Sequence, residues 1–348
     1  ALSRTVISGI VVVAVIAIAA ALLLFYDRRP GPIPAGVENM ARGAHGKPFI
    51  AVLPFDNMSG DPEQEYFSDG MTEEIITRLS TNSGILVIAR NSTFFYKGKM
   101  TPIQQVGREL NARYVVEGSV RKAGKQVRIT AQLIDATSES HLWANTYDRD
   151  FEDIFDLQDE IAQQVVAALN IKSREAEQAR AWRVPTENLT AYDTLLRGVS
   201  HFLRLTVAEN AKAKASFEKA VALDPEYATA YVMLGYTQLM EVAFGMSRDP
   251  HTLERVSDLA RKAISLGDTS FLAHVLLADV YRTKGQYEQA ILQAERALAL
   301  NPNDPVAYRG LGNALNSLGR FGEAIEAIKK AMILDPHYAV YYLSLIHI

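Results

Sequence analysis

Asp268, Pro302 and Pro336 stand at intervals of 34 residues, and the residues between them recur in kind as well as in spacing. One unit offers Leu277, Ala278, Tyr281, Gly285, Tyr287, Ala290, Ala297 and Pro302. The next offers Tyr308, Leu311, Gly312, Gly319, Phe321, Ala324, Ala331 and Pro336. A period of this length, carried by apolar residues at helical spacing, restricts the chain to stacked helical hairpins. Each hairpin buries its apolar face only against a neighbour. Small residues at Ala278 or Gly312, and at Ala290 or Ala324, let the two helices of a pair approach closely, and the large residues fill the gaps between pairs. Two looser units precede these. Tyr192, Gly198, Ala213, Phe217, Ala220 and Pro225 form the first, and Tyr231, Leu234, Gly235, Ala260 and Ala263 the second. Asp268 replaces the terminal proline of the second, and an insertion around Ala243 to His251 lengthens its turn. Tyr342 and Leu345 open a fifth unit.

Across about Thr190 to the end the chain resembles the tetratricopeptide-repeat family. The resemblance implies an all-α solenoid over 190–348 that binds a protein or peptide on the concave face of its first helices. Arg282, Arg309, Asn313 and Asn316 are the candidate groove residues; the alternative for each is a solvated helix face.

Val6 to Tyr26 contains no charge, and at about 1.5 Å per residue it would span roughly 31 Å, the thickness of a bilayer core. It is too long for a signal-peptide core and apolar on every face, which predicts a transmembrane helix over 6–26. Residues 1–5 read as the remnant of an upstream region. Pro30, Gly31, Pro32, Pro34, Gly36 and Gly43 mark 27–46 as an exposed linker. The chain begins at Ala1 without Met and ends inside a repeat, so we expect a piece of a longer protein.

Residues 47–169 read as one α/β unit. Phe49 to Phe55 is an apolar run that predicts a buried strand. Asn57 to Pro62 is loop chemistry, and Asp69 or Thr72 can cap a helix through Leu79. Ile85 to Ala89 predicts a second strand, and Pro102 to Leu110 a second helix with Thr101 as its cap. Tyr114 to Val120 and Val127 to Ile134 alternate as a hairpin around Lys122 to Lys125, with Val127, Ile129, Ala131 and Leu133 on one face. His141 to Tyr147 predicts a further strand, and Ile154 to Leu169 an amphipathic helix. Residues 170–189 connect this unit to the repeats. The expected fold class is therefore multidomain: a transmembrane helix, an α/β domain with a mixed sheet, then an all-α solenoid.

The run from Ile50 to Ile75, then Val87 to Lys99, Val106 to Ala136, His141 to Asp150 and Ile154 to Ala162 resemble the TolB-amino-terminal-like domain. That resemblance implies a bacterial membrane signalling protein. Its upstream output domain would be a class III adenylate or guanylate cyclase, a winged-helix regulator of CadC type, or a protein kinase. Arg90-Asn91-Ser92-Thr93 and the Gly118 to Ala136 hairpin look most like the cyclase-linked group. It further implies a single-pass protein of the bacterial inner membrane, with the C-terminal domains on the periplasmic side; Arg28 and Arg29 after the span, against Arg4 before it, point instead to a cytoplasmic C-terminal side, and that orientation stays open. The resemblance carries no catalytic residues over.

The remaining chemistry is read by what is missing. The sequence holds no cysteine, which excludes disulfides, thiolate metal sites and a cysteine nucleophile. Gly46-Lys47 and Gly124-Lys125 lack the rest of a phosphate-binding loop, and no metalloprotease or serine-hydrolase motif occurs. The seven histidines are scattered. Formal net charge is −4, and no basic face points to nucleic acid. Glu73-Glu74 and Asp159-Glu160 read as helix surface, and Asp56, Asp61 and Asp69 as turn and cap residues rather than an ion site. We therefore expect no catalytic, cofactor or metal residues. The expected partners are a protein or peptide at the repeats and the membrane at 6–26, with homodimerisation left open.

Overall fold

The computed structural model describes residues 46–171, 186–247, 249–267, 271–338 and 340–347. The predicted span 6–26, the linker 27–45, the centre of the connecting segment and Asp268 lie outside them. Among the described residues no helix is long and apolar enough to cross a membrane. The transmembrane element of the expected fold class is therefore corrected, and the inner-membrane placement with it. What is observed is a mixed-sheet α/β domain followed by helical repeats.

The first unit holds β1 (Phe49–Val52), β2 (Asp56–Asn57), α1 (Glu65–Ser80), β3 (Leu86–Val87), α2 (Arg90–Thr93), α3 (Ile103–Leu110), β4 (Tyr114–Ala123), β5 (Gln126–Asp135), β6 (Ser140–Asp150) and α4 (Ile154–Ala168). The strands pair in the order β3-β1-β4-β5-β6, with β2 also on β4. β1 runs parallel to both β3 and β4, whereas β4, β5 and β6 are antiparallel. β5 carries out the predicted alternation: Val127, Ile129, Ala131 and Leu133 are buried under α1 and α4, while Arg128 on the opposite face is exposed. The other face, around β1, is covered by α3 through Val106 and Leu110.

Local differences from expectation have local causes. α1 starts at Glu65, ahead of Asp69, because a short turn over Pro62–Gln64, capped by Asp61 on the Glu63 N–H, has already bent the chain into helical geometry. Pro102 rather than Thr101 occupies the cap of α3, without a side-chain bond. The β4–β5 hairpin turns on Gly124 and Lys125 alone, and Gly124 takes the left-handed φ of +61° that such a turn requires. That tight turn extends both strands beyond their predicted ends.

The second unit is four helix pairs and an opening helix: α5 (Leu189–Phe202) with α6 (Val207–Leu223), α7 (Ala228–Ala243) with α8 (Thr252–Leu266), α9 (Phe271–Thr283) with α10 (Tyr287–Leu300), α11 (Pro305–Ser317) with α12 (Phe321–Leu334), then α13 (Val340–His347). The signature glycines sit where the helices touch. A methyl group at Gly198 would lie 2.5 Å from the Phe217 ring, and one at Gly312 would lie 2.8 Å from Ile328. Ala213, Ala220, Ala260, Ala263, Ala297, Ala324 and Ala331 are fully buried.

The array touches the α/β domain at its first helix and again at its third and fourth pairs. At its start, α5 packs on α1 so closely that a methyl group at Gly70 would meet Leu196 at 2.7 Å. Phe155 stands edge-on to Tyr192 at 4.8 Å, and Gln158 donates to the Tyr192 hydroxyl at 2.8 Å. At its end, the Asn303 amide donates to the Ser80 carbonyl at 2.8 Å, and the Ala89 N–H donates to the Leu334 carbonyl at 2.7 Å. The solenoid is thereby closed into a ring, with α1 inside it.

Candidate functional site

The ring encloses a chamber of about 1800 Å³. One wall is the exposed side of α1, where Glu73, Thr77 and Thr81, and likewise Glu74 and Arg78, recur at four-residue spacing and share a face. The opposite wall comes from the first helix of each pair. Phe202 of α5, Met233 and Tyr236 of α7, Leu272, Val275 and Asp279 of α9, and Val306 and Arg309 of α11 all line it. These residues are spaced by three or four within each helix, so one face of every first helix looks inward. The second helices reach the chamber only at their ends, as at Leu223, Leu266 and Leu300.

The wall is amphipathic. Phe202, Met233, Leu272 and Val275 supply an apolar strip, and charged groups flank it. Arg78 pairs with Asp159 at 2.9 Å and donates to Gln158 at 2.9 Å, which anchors the floor of the chamber. Burial pushes the Asp159 carboxyl up to about 6, against the pull of Arg78. Burial likewise raises Asp304 to about 6, although it accepts the Ala307 N–H as the cap of α11. Glu73 and Glu74 are raised by the same cause, with Arg90 opposing the shift at Glu73 and Arg78 at Glu74. The side chain of Glu73 is 40% exposed, and its open side faces the chamber. Burial works against the charge of Arg309, yet Asp279, 3.9 Å away, holds it above its ordinary value.

Of the four residues proposed from sequence, Arg309 lines the chamber. Arg282, Asn313 and Asn316 are half-buried and are not among its lining residues. Arg282 lies 3.6 Å from Asp279, behind the wall. Asn316 uses its carbonyl to end α11. Sequence reading misses the whole of the α1 wall. Glu73 and Glu74, expected on the helix surface, line the chamber, and Asp159 is buried in its ion pair. The four-residue recurrence of polar groups on α1 is visible in the sequence, but nothing local says that another domain faces it. Asp61 is a cap, Asp69 pairs with Lys97 at 2.5 Å, and Asp56 is exposed. Among the described residues no group of histidine and carboxylate side chains could hold a metal ion.

Comparison with known proteins agrees with the two-part architecture. A tetratricopeptide-repeat family model matches residues 275–339. A model described as the second domain of HilA/YgeH-like transcriptional regulators matches residues 46–164. The chain is 45% identical over 233 residues to "Putative adenylate cyclase 3" of Rhizobium meliloti (strain 1021), a match over 67% of this chain and 40% of that protein. The chain thus spans well under half of that relative's length. Among solved structures, a thermophilic TPR protein of Thermus thermophilus aligns at 18% identity over 56% of this chain and 91% of its own, with a TM-score of 0.36. TolB of Acinetobacter baumannii aligns at 17% identity over 35% of this chain and 28% of its own, with a TM-score of 0.27. The observed fold and the repeat-family match over 275–339 define the class: a mixed-sheet domain joined to tetratricopeptide repeats. The chain carries such repeats, and its curated relative is named as a cyclase. The repeats are a non-catalytic region of the kind that mediates protein–protein contact.

Proposed function

We propose that this chain is the non-catalytic, protein-docking regulatory portion of a longer bacterial signalling protein whose output is a nucleotide cyclase. The carrying observation is the chamber. It exceeds the roughly 300–1,000 Å³ of small-molecule pockets, and it joins the inward face of the repeats to the α/β domain. A partner segment seated there touches both units at once, so its binding is felt by the domain that precedes the repeats. The relative named as an adenylate cyclase supports the choice of output. We read residues 47–169 more finely as a TolB-amino-terminal-like domain on the residues quoted above, with residues 190–348 as the repeats. Arg309 is the groove residue we retain.

One observation favours a second reading. The match of residues 46–164 to the second domain of HilA/YgeH-like regulators fits a regulator whose output is DNA binding rather than cyclase activity. Both readings give this chain the same docking role.

Two measurements test the proposal. The purified chain, given ATP or GTP with a divalent cation, should form no cyclic nucleotide; measurable turnover would overturn the non-catalytic assignment. A photo-cross-linking residue at Met233, inside the chamber, should form a discrete protein adduct in cells. The same residue at Glu218, on the outer face, should not. Equal adducts from both positions, or none from Met233, would sink docking through the concave face.

A further inference from the structure

The described lining of the chamber is strongly acidic. Among the described residues nine carboxylates and two arginines line it, a formal balance of −7. Negative charge is therefore concentrated on this concave surface. A concave wall with a low-dielectric backing focuses such a field and draws in counter-charge.

The carboxylates of the two walls differ in how they are matched. Asp279 is 7% exposed on the chamber wall and is ion-paired with Arg282 at 3.6 Å and Arg309 at 3.9 Å, so its charge is met within the repeats. Across the chamber, Glu74 has no ion pair or hydrogen bond among the described residues. Between the two walls runs the apolar strip of Phe202, Met233, Leu272 and Val275.

Resting on the docking role above, we propose that the chamber takes a cation-rich amphipathic peptide segment of a partner protein. Its lysine or arginine side chains lie against Glu73 and Glu74, and its apolar residues lie on the strip from Phe202 to Val275. An ammonium or guanidinium group donates the hydrogen bonds that Glu74 lacks. A neutral segment would cover that carboxylate without a donor, and an acidic one would add like-charge repulsion. The size of the chamber fits a stretch of chain rather than a metabolite.

Fluorescence anisotropy on the full chain tests this with two labelled probes of equal length. One is a 20-residue peptide alternating lysine pairs with leucine pairs at helical spacing; the other replaces every lysine by glutamate. The lysine peptide should bind, and its affinity should fall about tenfold between low and physiological salt. The glutamate peptide should bind at least about thirtyfold more weakly. The double variant E73K/E74K should weaken the lysine peptide about tenfold or more. A control with the same charge change on the outer face, E218K/E295K, should leave it within about twofold. The isosteric E73Q/E74Q variant, checked by circular dichroism, guards against a loss of fold and should give an intermediate effect. Equal loss in the chamber and control variants would reduce the binding to bulk charge and overturn the proposal. Equal or tighter binding of the glutamate peptide would also overturn it while leaving the Met233 cross-link, and so the docking role, intact. If neither peptide binds while that cross-link forms, the proposal fails: the chamber docks a partner but not a cationic one.

Discussion

The Asp335 carboxylate receives the Ser92 hydroxyl at 2.6 Å across 243 residues of sequence. Asn91 donates to its other oxygen at 3.0 Å, Tyr341 donates to the same oxygen at 3.2 Å, and the His337 N–H in turn donates to Ser92 Oγ at 2.9 Å. Asp335 is wholly buried, and no cation is ion-paired with it among the described residues. The last described full repeat is therefore fastened to α2 by neutral donors around a single acid. Removing that acid leaves several buried donors without an acceptor. Asp335→Ala should destabilise the chain by about 2–4 kcal/mol, since each orphaned donor costs about 1–3 kcal/mol. Amide exchange should rise first in α11 to α13; uniform loosening of all helices would contradict a local fastening.

The same residue sets a pH dependence. Burial pushes the Asp335 carboxyl up to about 6, so the folded state holds its proton more tightly than the unfolded chain does. Stability from this group is fully present below the unfolded value near 4 and is lost as pH rises through 6. Asp159 and Asp304, also raised to about 6, act in the same direction. His337 opposes them, because burial lowers its value and disfavours its charged form as pH falls. With these acids, and Glu73 and Glu74 raised in the same direction, against one histidine, unfolding free energy should increase from pH 7 to pH 5. In D335N the increase should shrink, and urea titrations of the two proteins at pH 5, 6 and 7 check the difference.

Two glycines of the repeats should respond with opposite sign. A methyl group at Gly198 meets the buried Phe217 ring at 2.5 Å, so Gly198→Ala should cost about 1–3 kcal/mol through overpacking. Gly310, inside α11, has nothing within 4 Å of the same position. There alanine gains helix propensity, and Gly310→Ala should stabilise by up to about 1 kcal/mol. Thermal melts of the two single variants read the contrast directly.

Arg78 tests the chamber floor. It holds Asp159 at 2.9 Å, with the arginine side chain 6% exposed and that of the aspartate 12% exposed. Arg78→Met leaves a buried carboxylate without its partner and should cost about 3–5 kcal/mol. The double variant R78M/D159L removes both charges and should recover most of that loss. A double variant no more stable than the single would mean that the pair's other contacts, such as Gln158, dominate.

Much of the architecture is legible because it is written in local periods. The two-residue alternation of Val127 to Leu133 locates β5 and its buried face. The 34-residue recurrence locates the helix pairs, and Gly198 and Gly312 fall where helices cross. What is not legible depends on where separate elements meet. α1 reads as an ordinary helix with a polar side, and only the return of the repeats turns Glu73 and Glu74 into a chamber wall. Asn303 and Asp335 lie in short connections that no local pattern singles out, yet their side chains join segments more than 200 residues apart. The groove candidates rest on analogy with an open solenoid. In a closed ring, Arg309 stays on the inner face while Asn313 and Asn316 do not line the chamber.

Open arrays of helical hairpins tolerate gain or loss of a unit, because each one meets only its neighbours. Here α5 and α12 both grip the same small domain, so their separation is dictated by its width. Deleting one 34-residue motif, or inserting another, would carry α12 past its landing place at Ala89 to Ser92. The number of hairpins between these two anchor points is thus matched to a partner within the same polypeptide, and a change of copy number between them would break one of the two contacts.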